Sequence, residues 1–205
     1  MESGPVTSQS LSVALIGLRH LHPRSYMLLL EACPETTVTA VVEADASVRD
    51  EFVKDFDVQG FDSVPGLLEA ARPELAYIFL PHNECPEAAE QCAAAGVHVV
   101  VEKPVANTAE GARRVARACA EHEVLFSTPY LWRYHPVCRE MKKLVDSGQL
   151  GRIVGCEGRC AAGGLHRYIE GHAGWMLEKE RSGGGPMYNL GVHWIDLYRW
   201  LLDDE

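Results

Sequence analysis

The chain has 205 residues, enough for one well-buried domain and part of a second. Its 19 Lys and Arg stand against 29 Asp and Glu, a formal net charge of -10. That balance, with no basic cluster, argues against nucleic-acid binding and against an anionic membrane surface. Met1 to Ser10 lack the basic start and apolar centre of a signal peptide, and no later stretch approaches a membrane span. The seven cysteines form no Cys-x-x-Cys pair, as expected of small buried thiols in a reducing cytoplasm.

Ser12 to Ile16 form an apolar strand ending at Gly17, followed by Leu18-Arg19-His20-Leu21-His22-Pro23 and a helical pattern through Tyr26, Leu29 and Leu30. Strand, glycine turn and helix open a dinucleotide-binding unit. The glycine fingerprint is degenerate, because Arg19 stands at its second position and His22 at its third. Thr37 to Glu43 form a second β-branched strand ending in an acid 26 residues beyond Gly17. An acid there accepts from a ribose diol and repels a 2′-phosphate, which favours NAD over NADP. Asp45 competes for this role, and the lesser alternative makes Glu43 a turn residue before a helix from Ser47 to Phe56.

A helix from Leu67 to Ala71 and a strand from Leu75 to Leu80 lead to Pro81-His82-Asn83, with Pro81 and Asn83 expected on the cofactor rim. A helix from about Pro86 to Ala95 then feeds the run from Val97 to Val101, which stops at Glu102-Lys103-Pro104. Proline removes a ladder donor, leaving Glu102 and Lys103 at the carboxyl end of a strand, where open parallel sheets bind ligands. Asn107 or Thr108 caps a helix carrying Ala112, Val115, Ala116 and Cys119 on one face, and Val124 to Ser127 are the last strand of this unit. The strand spacings suit crossover helices, so the sheet is expected to be parallel.

Tyr130-Leu131-Trp132-Arg133-Tyr134-His135-Pro136 marks the crossing to a second region, which opens with an amphipathic helix to about Asp146. Gly151 to Ala161 alternate like a strand of a new sheet. Cys156 and Cys160 would share one face of it, but no His stands at ligand spacing, so no metal site is assigned. A polar, glycine-rich loop holds Gly163, Gly164, His166, His172 and Trp175, and Gly183-Gly184-Gly185 precede a last helix. On it Asn189, His193 and Asp196 fall at i, i+4 and i+7, opposite an apolar face of Leu190, Trp194, Leu197 and Leu201.

Glu102-Lys103-Pro104, Arg133 to Pro136, the turn from Gly148 to Gly151, and Gly183-Gly184-Gly185 with Asn189-x-Gly191-x-His193-x-x-Asp196 occur in one order along the chain. This ordered set resembles the Gfo/Idh/MocA family of NAD(P)-dependent oxidoreductases acting on sugars, cyclitols and polyols. The resemblance implies an α/β chain: a Rossmann-type doubly wound parallel sheet over residues 10–128, then an incomplete α+β substrate domain over 129–205. It gives Lys103 the reacting hydroxyl, His193 the role of acid or base, and Asn189 the place usually held by aspartate. Gly17, Arg19, His20, Glu43, Pro81, Asn83, Glu102 and Lys103 then face NAD, and Arg133, Tyr134, Trp175 and Asp196 face a small sugar or polyol. Members of the family continue well beyond this length, so the second sheet is expected to be completed by missing chain or by a homo-oligomer partner. Arg19, Asn189 and the short second domain leave two other readings, a catalytically impaired binding or regulatory module and a structural partner.

Overall fold

The computed structural model describes residues 10–161 and 164–203. Gly163 of the expected polar loop lies outside them. Six parallel strands form a single sheet in the order β3-β2-β1-β4-β5-β6: β1 (Leu11–Ile16), β2 (Thr36–Val42), β3 (Gln59–Phe61), β4 (Leu75–Ile78), β5 (His98–Val101) and β6 (Phe126–Ser127). Five helices join them: α1 (Pro23–Glu31), α2 (Ala46–Phe56), α3 (Val64–Ala70), α4 (Cys85–Ala94) and α5 (Ala109–Glu121). The expected doubly wound sheet is present. Its strand order reverses between β1 and β4, which opens a crevice at their carboxyl ends.

The strands form because they are buried on both faces and built from β-branched residues. Val13, Ala14, Leu15 and Ile16 are fully buried, and alternate residues feed two cores. Ala14 and Ile16 join Ile78, Val99 and Val101 under α4 and α5, and Val13 and Leu15 join Tyr26, Met27, Phe52 and Phe79 under α1 and α2. Helix starts follow local chemistry: Asp45 accepts from the backbone N–H groups of Ser47 and Val48, and Thr108 accepts from Gly111. Leu29, expected on the core face of α1, is exposed, and Met27 takes the buried position instead.

The second region departs from expectation. Residues 152–161 enter no ladder, Val154 is 87 % exposed, and Cys156 and Cys160 are free and exposed. Alternation alone cannot make a strand without a neighbour to receive its backbone groups. The segment runs along the last helix, where a Cβ on Gly158 would strike Trp194 and Tyr198. Otherwise the region is helical: α6 (Pro136–Asp146), α7 (His166–Glu170), α8 (Lys179–Ser182), α9 (Pro186–Asn189) and α10 (Gly191–Leu202). Cys138 of α6 packs with Leu197 and Leu201 of α10, bordered by Trp132, Trp194 and Trp200. No helix among the described residues is long and apolar enough to cross a membrane.

Candidate active site

Gly17 leaves β1 at φ +87°, and a Cβ there would lie 2.8 Å from the backbone nitrogen of Leu80. Glycine is required both by the left-handed backbone and by the close passage of the chain after β4. Glu43, 8 % exposed, closes this turn: its carboxylate accepts from the backbone N–H of Leu18 at 2.9 Å and of Asp45 at 3.1 Å. Gly17, Arg19, Glu43, Asp62, Pro81, Trp175 and Arg181 are among the residues lining a cavity of about 290 Å³ along the carboxyl edge of the sheet.

The loop from the second region is strapped across this edge. Trp175 Nε1 donates to the carbonyl of Arg19 at 2.6 Å, so Trp175, expected at the substrate, braces the glycine turn instead. Asn83 is exposed, and its backbone N–H donates to the carbonyl of Arg181. Arg181 pairs with Glu84 at 3.0 Å. His82, fully buried, donates from Nδ1 to the carbonyl of Ser182 at 2.7 Å and meets the Trp175 ring edge-on. Gly183, at φ +86°, has no room for a Cβ against the backbone of Asn107.

Deeper in, Glu102 and Lys103 are each 4 % exposed at the end of β5. Lys103 Nζ donates to the backbone carbonyl and to Oδ1 of Asn189, both at 3.0 Å. Burial holds its pKa below the usual lysine value; the Glu102 carboxylate opposes that shift and the Arg167 guanidinium adds to it. Glu102 Oε2 lies 3.3 Å from His22 Nδ1 and has no hydrogen-bond partner among the described residues. The same is true of Nε2 of His20 and His82 and of Nδ1 of His193.

His193 stacks on Trp132, and burial, with the Lys103 charge as a second cause, lowers its pKa to about 4. Part-burial thus keeps His193, the acid or base that the family resemblance implies, neutral at pH 7. His20 is buried too, and its pKa is held well below the ordinary value by burial and by His22, Lys103 and His82. It faces Phe79 and Trp175 and does not line the Glu43 cavity where it was expected.

Asn189 and His193 do not share one unbroken helix as the spacing suggested. Asn189 ends α9, and α10 starts after Leu190. Arg133 and Asp196, both expected at the substrate, are joined by two hydrogen bonds, Arg133 Nε to Oδ2 at 2.8 Å and Nη2 to Oδ1. They border an open cavity of about 690 Å³ whose lining includes Tyr130 and Arg199 but neither Lys103 nor Asn189. Tyr134 is 69 % exposed beneath the Arg139 guanidinium, away from the Lys103 cluster. The sequence reading missed His22, His82, Tyr168 and Arg181. His82 carried a signal, since it follows Pro81 at a strand terminus; the others act through contacts far apart in sequence.

Residues 11–130 match the model of an oxidoreductase family with an NAD-binding Rossmann fold, and residues 138–205 match the GFO/IDH/MocA C-terminal domain. A dTDP-3,4-didehydro-2,6-dideoxy-alpha-D-glucose 3-reductase from Actinomadura kijaniata is 28 % identical over 189 residues, covering 92 % of this chain and 55 % of that protein. D-glucoside 3-dehydrogenase from Escherichia coli is 25 % identical over 200 residues, covering 96 % and 55 %. The WlbA dehydrogenase from Bordetella pertussis, solved with NADH and UDP-GlcNAcA, superposes with a TM-score of 0.82 at 22 % identity, over 95 % of this chain and 59 % of that one. The chain thus spans about half the length of these relatives. By its family matches, the chain belongs to the Gfo/Idh/MocA oxidoreductases.

Proposed function

We propose that this chain carries the cofactor site and the reacting centre of an NAD-dependent oxidoreductase that exchanges hydride between nicotinamide and a hydroxyl or carbonyl of a sugar, cyclitol or polyol. The observation that carries the reading is the buried Lys103 ammonium, held by Asn189 at the carboxyl end of β5, beside the buried Glu102 carboxylate and a His193 Nδ1 that has no hydrogen-bond partner among the described residues. The residues fit the cofactor. Gly17 leaves the turn bare, and Glu43 and Pro81 line the cavity next to it. Nicotinamide, when bound, supplies or accepts the hydride.

Lys103, whose ammonium only donates, is suited to hydrogen-bond the reacting oxygen and to stabilise negative charge as it develops there. Neutral His193, with Nδ1 unpartnered, is suited to take the hydroxyl proton. Asn189 orients Lys103 without adding a charge. Glu43 and Asp62 line the cavity, and Asp45 beyond it acts on Arg19; an acid at the end of β2 supports NAD over NADP. We assign cofactor binding to residues 10–128 and substrate contacts to 129–205. The exposed apolar residues Val137, Met141, Leu144 and Leu150 suit burial against further chain or a second copy, in keeping with a homo-oligomer. Free cysteines suit a reducing, cytoplasmic setting.

Titration with NADH, followed by energy transfer from tryptophan, tests the cofactor reading. Saturable binding is expected, with NADPH at least about tenfold weaker, a difference of about 1.4 kcal/mol; no saturation at millimolar NADH refutes it. The uncharged Asn189 favours one second reading, a non-catalytic module that retains the scaffold. Loss of a measured dehydrogenase turnover in Lys103→Ala and His193→Ala variants that remain folded would eliminate it.

A further inference from the structure

Lys103 is held by a residue that is itself held. An ammonium offers only donors, so the Asn189 amide atom 3.0 Å from Nζ is the oxygen, and Nδ2 points the other way. There it lies 3.4 Å from the hydroxyl of Tyr168. The same hydroxyl oxygen lies 3.4 Å from Nη2 of Arg167, whose guanidinium sits 4.8 Å over the Tyr168 ring. Tyr168 is buried with Ala173, Trp175 and Met176 against Leu21, which pins α7 to the turn after β1.

We propose that Tyr168 is a positioning residue for Lys103 and Arg167 tunes it electrostatically: the phenol oxygen locks the Asn189 amide with Oδ1 on the ammonium, and the guanidinium over the phenol ring places positive charge behind it. The inference rests on the reading of Lys103 as the donor to the reacting oxygen. It extends that reading to a segment with no part in binding cofactor. The groups that act electrostatically with Lys103 are Glu102 on its own strand end, His20 after β1, His82 after β4, His193 on α10 and Arg167 on α7. Burial lowers the Lys103 pKa most, and Arg167 pushes the same way.

The two residues therefore have opposite signatures. Without the Arg167 charge the Lys103 ammonium is easier to keep, so its pKa rises. Without the Tyr168 hydroxyl the amide is free to turn and withdraw its oxygen, so the pKa falls further. The experiment follows the Lys103 Nζ resonance against pH in the whole chain with isotope-labelled lysine, the signal being assigned by its loss in Lys103→Arg. Arg167→Met is expected to move the midpoint up, Arg167→Lys to leave it close to the parent, and Tyr168→Phe to move it down. Midpoints unchanged in both Arg167→Met and Tyr168→Phe would overturn the proposal. If Tyr168→Phe does not fold, the contrast between Arg167→Met and Arg167→Lys decides. NADH titration of the same samples bears on the wider reading alone: its failure in the parent leaves the Lys103 midpoints fully informative.

Discussion

Replacing His193 by glutamine should flatten the acid limb of the stability curve. The folded chain holds this imidazole at a pKa of about 4, against 6.5 for an ordinary histidine, because burial and the Lys103 charge disfavour imidazolium. The unfolded chain takes up a proton as pH falls through 6.5 and the folded chain does not. Stability is lost between those two values and no further below about pH 4. At about 1.4 kcal/mol per pH unit the full depression is worth about 3 kcal/mol, and the half-buried position reduces it to about 2. Urea unfolding at pH 7, 5.5 and 4 reads the effect directly. The parent should lose about 2 kcal/mol more than His193→Gln on going from pH 7 to 4, with the slope on urea unchanged. Acid sensitivity will persist in the variant, because burial also holds His20 and His82 below their ordinary pKa. Parallel pH curves for parent and variant would refute a depressed His193 pKa.

Gly17→Ala should cost about 2–5 kcal/mol in denaturant unfolding, through a left-handed backbone and a Cβ driven against Leu80. Gly96→Ala is the control, since Gly96 is also left-handed at φ +78° but open to space, and it should cost about 1–2 kcal/mol; equal losses would deny the close approach at Gly17. Trp175→Phe removes the donor to the Arg19 carbonyl, and should cost about 1 kcal/mol of stability and weaken NADH several-fold. Unchanged NADH affinity would show that the brace does not shape the cofactor turn.

The sheet was legible because its determinants are local. β1, β2, β4 and β5 each announce themselves by β-branched runs, and Gly17 and Pro104 punctuate them. β3 was not, since Gln59–Phe61 is a three-residue edge strand whose place is set by pairing with β2. The run from Gly151 to Ala161 fails in the opposite sense: the alternation is there, but a strand is a property of two segments, and its partner is absent among the described residues. Likewise the Glu102-Lys103-Pro104 tripeptide alone left a solvated charge pair and a site equally open, and only the ordered motifs pointed to Lys103; its contact with Asn189 spans 86 residues and the His82 bond to Ser182 spans 100. No spacing rule reaches that far. The i, i+4, i+7 pattern named Asn189, His193 and Asp196 correctly as polar, but gave them one purpose. The structure divides them, Asn189 to Lys103 and Asp196 to Arg133, because the helix is interrupted at Leu190.

The same division supports the proposed centre at Lys103 over the larger cavity beside Arg133. Arg133 and Asp196 satisfy one another through two hydrogen bonds and ask nothing of a ligand. Around Lys103 the opposite holds. Its charge acts on His20, His82 and His193, and each of these rings has one buried nitrogen without a hydrogen-bond partner among the described residues, with the Glu102 carboxylate beside them against His22. The buried residues Val13 to Ile16, Val99 and Val101 of the sheet frame this cluster. Three imidazole nitrogens without partners among the described residues, gathered around one buried ammonium while Arg133 and Asp196 pair with each other, are the polar atoms a bound molecule would be expected to meet at the proposed centre.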